Sequence, residues 1–151
     1  MTRLKIYFSY DGTNYHGFQR QKNVSRTIQE AIELAFSRIF NCSICLVASG
    51  RTDAGVHARI QVGHVDIPTE SLKRLSYKRL MLGLNSLLPK DIRVWKLEST
   101  AQQFHAISHV TQKLYLYFID PSPIQNPIFR YYAWHLRLPL NWNLMQQAAS
   151  V

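Results

Sequence analysis

The chain has 151 residues, enough for one domain with a substantial core or for one part of something larger. A hydrophobic fraction of 46% and an aromatic fraction of 12% exclude intrinsic disorder as the default. Eighteen Lys and Arg against 9 Asp and Glu give a formal charge of +9, an excess that draws polyanions. Nucleic acid fits that excess better than an anionic membrane, because the basic residues are scattered among aromatics and form no amphipathic basic helix. The start, Met1-Thr2-Arg3-Leu4-Lys5, lacks the apolar core of a signal peptide, and no apolar run approaches the roughly 20 residues that span a bilayer. A cytoplasmic protein without a membrane partner is therefore expected.

Leu4, Ile6, Phe8 and Tyr10 alternate with Lys5, Tyr7 and Ser9, the period of a half-buried strand, which Asp11-Gly12 ends. The aperiodic segment 11–21 reads as a loop. Tyr15, Phe18 and Arg20 lie close together there, either to stack bases and hold phosphates or with Phe18 tucked into the core; the residues alone leave both open. Thr27-Ile28-Gln29-Glu30 has the form of a capping box, and Ile28, Ala31, Ile32, Ala35, Phe36 and Ile39 share one helical face, which predicts a helix over about 28–40. Cys42 and Cys45 form a single C-x-x-C without a second pair; two buried or half-buried thiols are expected rather than a metal site.

A strand is predicted over 44–48, then a glycine-bracketed loop, then a second alternating strand from Ile60 to Ile67. A helical stretch follows from about Ser71 to Leu87, stopped by Pro89, and another strand from Asp91 to Leu97. Phe104 to Asp120 is the longest alternating segment and reads as a strand. Pro121, Pro123 and Pro127 mark a turn-rich loop, Ile128 to Leu138 reads as a further strand, and Asn141 caps a helix that begins near the end. His105 and His109, four apart, would suit zinc on a helix, but in an alternating segment they are unsuitably placed, so no metal is expected.

The loop after residue 48 carries the chemistry. In Ser49-Gly50-Arg51-Thr52-Asp53-Ala54-Gly55-Val56-His57-Ala58 the two glycines allow close backbone approach, so a substrate can come near the Asp53 carboxylate. Arg51 either pairs with Asp53 and keeps it ionised or holds a phosphate beside it. An ionised carboxylate in a basic loop is a candidate nucleophile, and a helix cap or Asx-turn is the plainer reading. This string resembles the catalytic motif of the tRNA pseudouridine synthase A family almost residue for residue. The resemblance places the catalytic aspartate at Asp53 and an active-site arginine at Arg51.

It extends along the chain. Tyr10-Asp11-Gly12-Thr13-x-Tyr15-x-Gly17-Phe18-Gln19-x-Gln21 resembles the segment after the family's first strand and implies RNA contact by Tyr15, Phe18, Gln19 and Gln21 and by Arg20 between them, with RNA contact also by His57 of the catalytic motif. Gly83 to Val94 matches its helix-to-strand link. Phe104-His105-Ala106 with Lys113-Leu114-Tyr115-Leu116-Tyr117 places an active-site tyrosine at Tyr115 and RNA-binding residues at His105 and Lys113. A tyrosine there stacks on a flipped uracil or moves a proton at the base. Ile107, where the family has arginine, departs from the pattern.

The resemblance implies an α+β fold, a mostly antiparallel sheet with helices on one face, ferredoxin-like (RRM-like). It implies a catalytic subdomain over 1–138, the start of a second over 139–151, and only the first of the family's two halves. The expected activity is isomerisation of uridine to pseudouridine in the tRNA anticodon stem-loop, with no cofactor, tRNA as partner and a homodimer as in the family. The rival expectations are an RNA-binding fragment without catalysis and an unstable remnant.

Overall fold

The computed structural model describes residues 1–73 and 75–150. The chain falls into two compact units, one from Met1 to Thr111 and one from Gln112 onward.

The first unit is a four-stranded antiparallel sheet in the order β2-β3-β1-β4, built from β1 (Thr2–Tyr10), β2 (Leu46–Ala48), β3 (Ala58–Ile67) and β4 (Ile92–Ser99). This is the predicted α+β architecture. Leu4, Ile6, Phe8 and Tyr10 of β1 all point to one face and are buried there with α1 (Ile28–Phe40) and α3 (Tyr77–Leu87), whose Ile28, Ile32, Phe36, Leu80 and Leu84 are almost wholly enclosed. Full burial of each such side chain contributes about 1.5–3 kcal/mol.

The helix α1 spans its predicted bounds. The Thr27 hydroxyl accepts the Glu30 N–H, and Asn41, with φ of +50°, closes the far end. Loop carbonyls satisfy two further donors of the first turn: Gly17 C=O accepts from Ile28 N–H and Phe18 C=O from Gln29 N–H.

Other expectations need correction. The helix predicted over 71–87 is two helices, a short α2 (Thr69–Leu72) and α3, because Ser76 supplies a second N-cap to Arg79 N–H; residue 74 of that stretch lies outside the described residues. Cys45 is exposed and precedes β2, which begins only at Leu46, and Cys42 is half-buried; both thiols are free.

The strand predicted over 104–120 does not form. Phe104 to His109 is a set of turns, with His109 N–H donating to His105 C=O, and 110–118 runs without a ladder partner until β5 (Ile119–Asp120). Alternation shows that a segment can serve a sheet, but a strand exists only where a neighbour accepts its backbone groups. In the second unit β5 pairs in parallel with β6 (Trp134–His135), all that forms of the strand predicted over 128–138, and α4 (Trp142–Ala148) has no buried residue.

Two buried polar groups tie segments to the sheet. Glu33, on the inner side of α1, accepts Leu46 N–H at 3.0 Å and Gln29 Nε2–H at 3.0 Å, and so anchors the edge strand β2 to the helix. His64 of β3 is 4% exposed, and its Nδ1 accepts the N–H of buried Ala106. Burial, and then the nearby Arg3 charge, hold the His64 imidazole below its ordinary pKa. Replacing Glu33 by Ala strands the Leu46 N–H, and urea unfolding should show a loss of about 1–3 kcal/mol. A change below about 0.5 kcal/mol, the scale of an ordinary surface substitution, would show that β2 does not depend on this carboxylate.

Candidate active site

The turn carrying Asp53 connects β2 to β3 and is closed by its own backbone, with Val56 N–H donating to Asp53 C=O at 3.2 Å. Gly55 occupies the third position with φ of +77°, the value that a type II turn demands there and that L side chains rarely adopt. Ser49 adds a lateral tie: its hydroxyl donates to Gln61 Oε1, while Gln61 Nε2–H donates to Gly50 C=O. Arg51 and Asp53 are both exposed, so the turn presents its two charged side chains instead of burying them.

The turn is seated on the β1–α1 loop. Phe18 N–H donates to Thr52 C=O at 2.9 Å, and Gly55 N–H approaches Tyr15 C=O at 3.4 Å. Tyr10 and Thr52 share a hydroxyl–hydroxyl bond of 2.8 Å. Two glycines make the fit possible. A Cβ at Gly12 would fall 2.0 Å from the Val56 carbonyl oxygen, and one at Gly17, already at φ +87°, would fall 3.0 Å from the Thr52 carbonyl oxygen.

His57 belongs to the same junction. Its Nδ1 lies 3.1 Å from Gly12 N and 3.0 Å from Asp11 Oδ1, accepting from the amide in one tautomer and donating to the carboxylate in the other.

The remaining predicted residues divide sharply. Tyr15 and Phe18, expected as base-stacking residues, are 8% and 3% exposed. Phe18 packs with Phe8 and Tyr10 at centroid separations near 6 Å, and its ring face is thereby unavailable to a base. Tyr15 donates its hydroxyl to Asp91 Oδ1 at 2.6 Å; burial first, and this bond second, raise its pKa well above the ordinary phenol value. Both rings are supports for the loop, an outcome in which an aromatic core won over an aromatic surface.

Gln19 is half-buried, while Arg20 and Gln21 are exposed. Arg20 and Gln21 lie with Lys22 around an open depression of about 470 Å³ beside the start of α1, where Arg20 also reaches Glu33 at 3.4 Å. His105 is half-buried against His64, ring centroids 5.1 Å apart. Lys113 and Tyr115 belong to the second unit and are exposed, Tyr115 to 68%.

Sequence reasoning missed Asp91 and Thr52. Asp91 accepts from Tyr15 through its side chain and from Asp11 N–H through its carbonyl, thus holding the first residues of the loop that seats Asp53. Its signal was available, since it lies in the Gly83–Val94 run that resembles the family. No group of three His, Cys, Asp or Glu among the described residues is placed to hold a metal ion.

Gly12→Ala should cost about 1–3 kcal/mol in denaturant unfolding and shift the amide signals of Val56 and His57, because the new methyl must displace the Val56 carbonyl. Gly83→Ala, inside α3 with only ordinary contact at 3.5 Å, should instead stabilise by up to about 1 kcal/mol. Equal, neutral behaviour of the two variants would mean that the loops are not interlocked.

The family model described as tRNA pseudouridine synthase matches residues 6–107, which include the second half of β1, the β1–α1 loop, the Asp53 turn and the Phe104–Ile107 segment. The tRNA pseudouridine synthase A of Limosilactobacillus reuteri (strain DSM 20016) is 43% identical over 153 residues, covering 99% of this chain and 58% of its own length. That of Thermoanaerobacter sp. (strain X514) is 39% identical over 150 residues, with 99% and 59% covered, and that of Streptococcus thermophilus (strain ATCC BAA-491 / LMD-9) is 41% identical over 150 residues, with 99% and 58% covered. The chain therefore spans somewhat less than three fifths of the length of these relatives. With the match extending over residues 6–107 and the Asp53 turn inside it, this chain belongs to the tRNA pseudouridine synthase family.

Proposed function

We propose that the chain supplies the catalytic aspartate of a tRNA pseudouridine synthase, with Asp53 as the nucleophile. The observation that carries this reading is an exposed carboxylate at the tip of a turn whose backbone is fixed on two sides, by Phe18 N–H on Thr52 and by Val56 N–H on Asp53 itself. A nucleophile held on a rigid support pays little entropy at the moment of attack.

In the proposed reaction the C1′–N1 glycosidic bond of a uridine breaks, the uracil turns, and a C1′–C5 bond forms. The C5 proton passes to solvent and N1 takes up a proton, so no oxidant, metal or nucleotide enters the balance. Asp53 takes part by attack on ribose or base or by abstracting a proton. Arg51 orients Asp53 and occupies the space that the flipped base vacates. Tyr115 stacks on the uracil, while Lys113, Arg20 and their neighbours bind phosphates, with Gln19, Gln21, His57 and His105 contributing polar contacts to the RNA. In this reading the substrate is the anticodon stem-loop of tRNA, the assembly is a homodimer and the compartment is the cytoplasm. Among the described residues no helix is long and apolar enough to cross a membrane.

A second reading, an RNA-binding module without catalysis, is favoured by one observation: the Asp53 carboxylate faces solvent, whereas electrostatic catalysis gains most where water is excluded.

Tritium release from C5-labelled uridine in an unmodified tRNA transcript separates the two. Release that falls to background in Asp53→Ala, with tRNA binding retained, is the expected result. Release that persists in Asp53→Ala would overturn the assignment of Asp53. Binding without release by the parent chain would leave the second reading, and neither binding nor release would overturn both.

A further inference from the structure

Gln61 is a polar residue in a row of β3 that otherwise lines the core. The cross-strand partners of Leu4, Ile6 and Phe8 are Val65, Gly63 and Gln61, and partners in a ladder share a face of the sheet. Leu4, Ile6, Phe8 and Val65 are wholly buried, so the row belongs to the helix-covered side. Gln61 itself is half-buried at the end of that row. A Leu would fill the place with no polar atoms to satisfy, whereas an amide there needs hydrogen bonds at both of its ends.

Both ends are bonded, and each reaches the strand of chain that enters the Asp53 turn. Gln61 Oε1 accepts the Ser49 hydroxyl at 2.7 Å, and Gln61 Nε2–H donates to Gly50 C=O at 3.1 Å. The ladder between β2 and β3 covers Leu46 to Ala48, and Ser49 N–H adds one more bond, to Val62 C=O at 2.8 Å. The Gln61 side chain then carries the connection one residue further, to Gly50.

The position of that last contact matters because Gly50 C=O belongs to the peptide unit that supplies the Arg51 N–H. On the other side of Arg51, Thr52 is held through its hydroxyl by Tyr10 at 2.8 Å and through its carbonyl by Phe18 N–H at 2.9 Å. Arg51 therefore stands between two anchored groups while its side chain is exposed. Gln61 supplies the anchor directly before it. A long, flexible cation can be aimed only from a fixed backbone, and a displacement of about 1 Å at a reacting group can cost about a hundredfold in rate.

We propose that Gln61 is a positioning residue of the Asp53 site, fixing the backbone of Arg51 and thereby the direction in which its guanidinium meets Asp53 and the base. The proposal deepens the reading of Arg51 and Asp53 given above and rests on it for the reaction. The hold of Gln61 on Arg51 can nonetheless be measured without any reaction, so either can fail alone.

Two variants test it. Gln61→Glu has the same size and keeps an acceptor for Ser49 but loses the donor to Gly50 C=O, and Gln61→Leu loses both contacts while suiting the apolar row. Backbone order parameters from amide nitrogen relaxation read the hold directly. At Arg51 the parent should show the value of a rigid backbone, about 0.85, and both variants should fall toward about 0.6, with Phe8 and Val65 unchanged. In tritium release from C5-labelled uridine in an unmodified tRNA transcript, both variants should lower kcat by between about tenfold and a hundredfold and leave KM within about twofold, a split that a general loss of folding does not produce. Asp53→Ala should abolish release and leave the Arg51 order parameter as in the parent. The proposal is overturned if Arg51 is as rigid in both variants as in the parent, or if the loss of activity lies in KM alone. If the parent chain releases no tritium, the catalytic reading falls, and the order parameter of Arg51 then upholds or overturns the part assigned to Gln61 by itself. Should Gln61→Leu fail to fold, Gln61→Glu decides.

Discussion

The contact on which this structure depends is the close backbone approach between two loops that are far apart in sequence, the one after β1 and the one that carries Asp53. Phe18 N–H meets Thr52 C=O at 2.9 Å, and Gly12 comes so near Val56 that no side chain could stand between them. A turn exposed to solvent on one side is ordinarily among the softer parts of a fold. This one is pinned by backbone hydrogen bonds and by the absence of two side chains, and Asp53 inherits that position.

Everything behind the contact serves to keep the β1–α1 loop in place. The alternation of β1 sends Phe8 and Tyr10 into the core, where they meet Phe18 and draw the loop down onto the sheet. Tyr15 reaches across to Asp91 at the start of β4, so the loop is tied to both the first and the last strand of the sheet. The carbonyls of Gly17 and Phe18 then start α1. One short segment thus closes the core, begins a helix and seats the Asp53 turn, which explains why its glycines and aromatics fall where they do.

Much of this was legible in the residues. The cap and apolar face of α1 gave its bounds because capping and helical periodicity are both local, and the alternation of β1 gave its buried face for the same reason. The exposed placement of Arg51 and Asp53 followed from the flanking glycines. What could not be read was anything settled by a distant partner. Tyr15 and Phe18 have surface-like neighbours in sequence, but Asp91, Phe8 and Tyr10 claim them. The 104–120 segment has the period of a strand, yet His64 instead captures the Ala106 amide in a turn, and the residues that follow find no ladder before β5. Cys45 belongs to an apolar run but falls just before β2 begins, on the solvent side.

The most direct measurement of the central claim is native-state amide hydrogen exchange, residue by residue, on the 151-residue chain. If the two loops are one interlocked unit, Phe18 N–H, bonded to Thr52 C=O, will exchange with protection comparable to the amides of β1 and far slower than a free loop. Exchange of Phe18 at the rate of an open segment, while β1 remains protected, would contradict the account, because Asp53 would then sit on a turn that nothing holds.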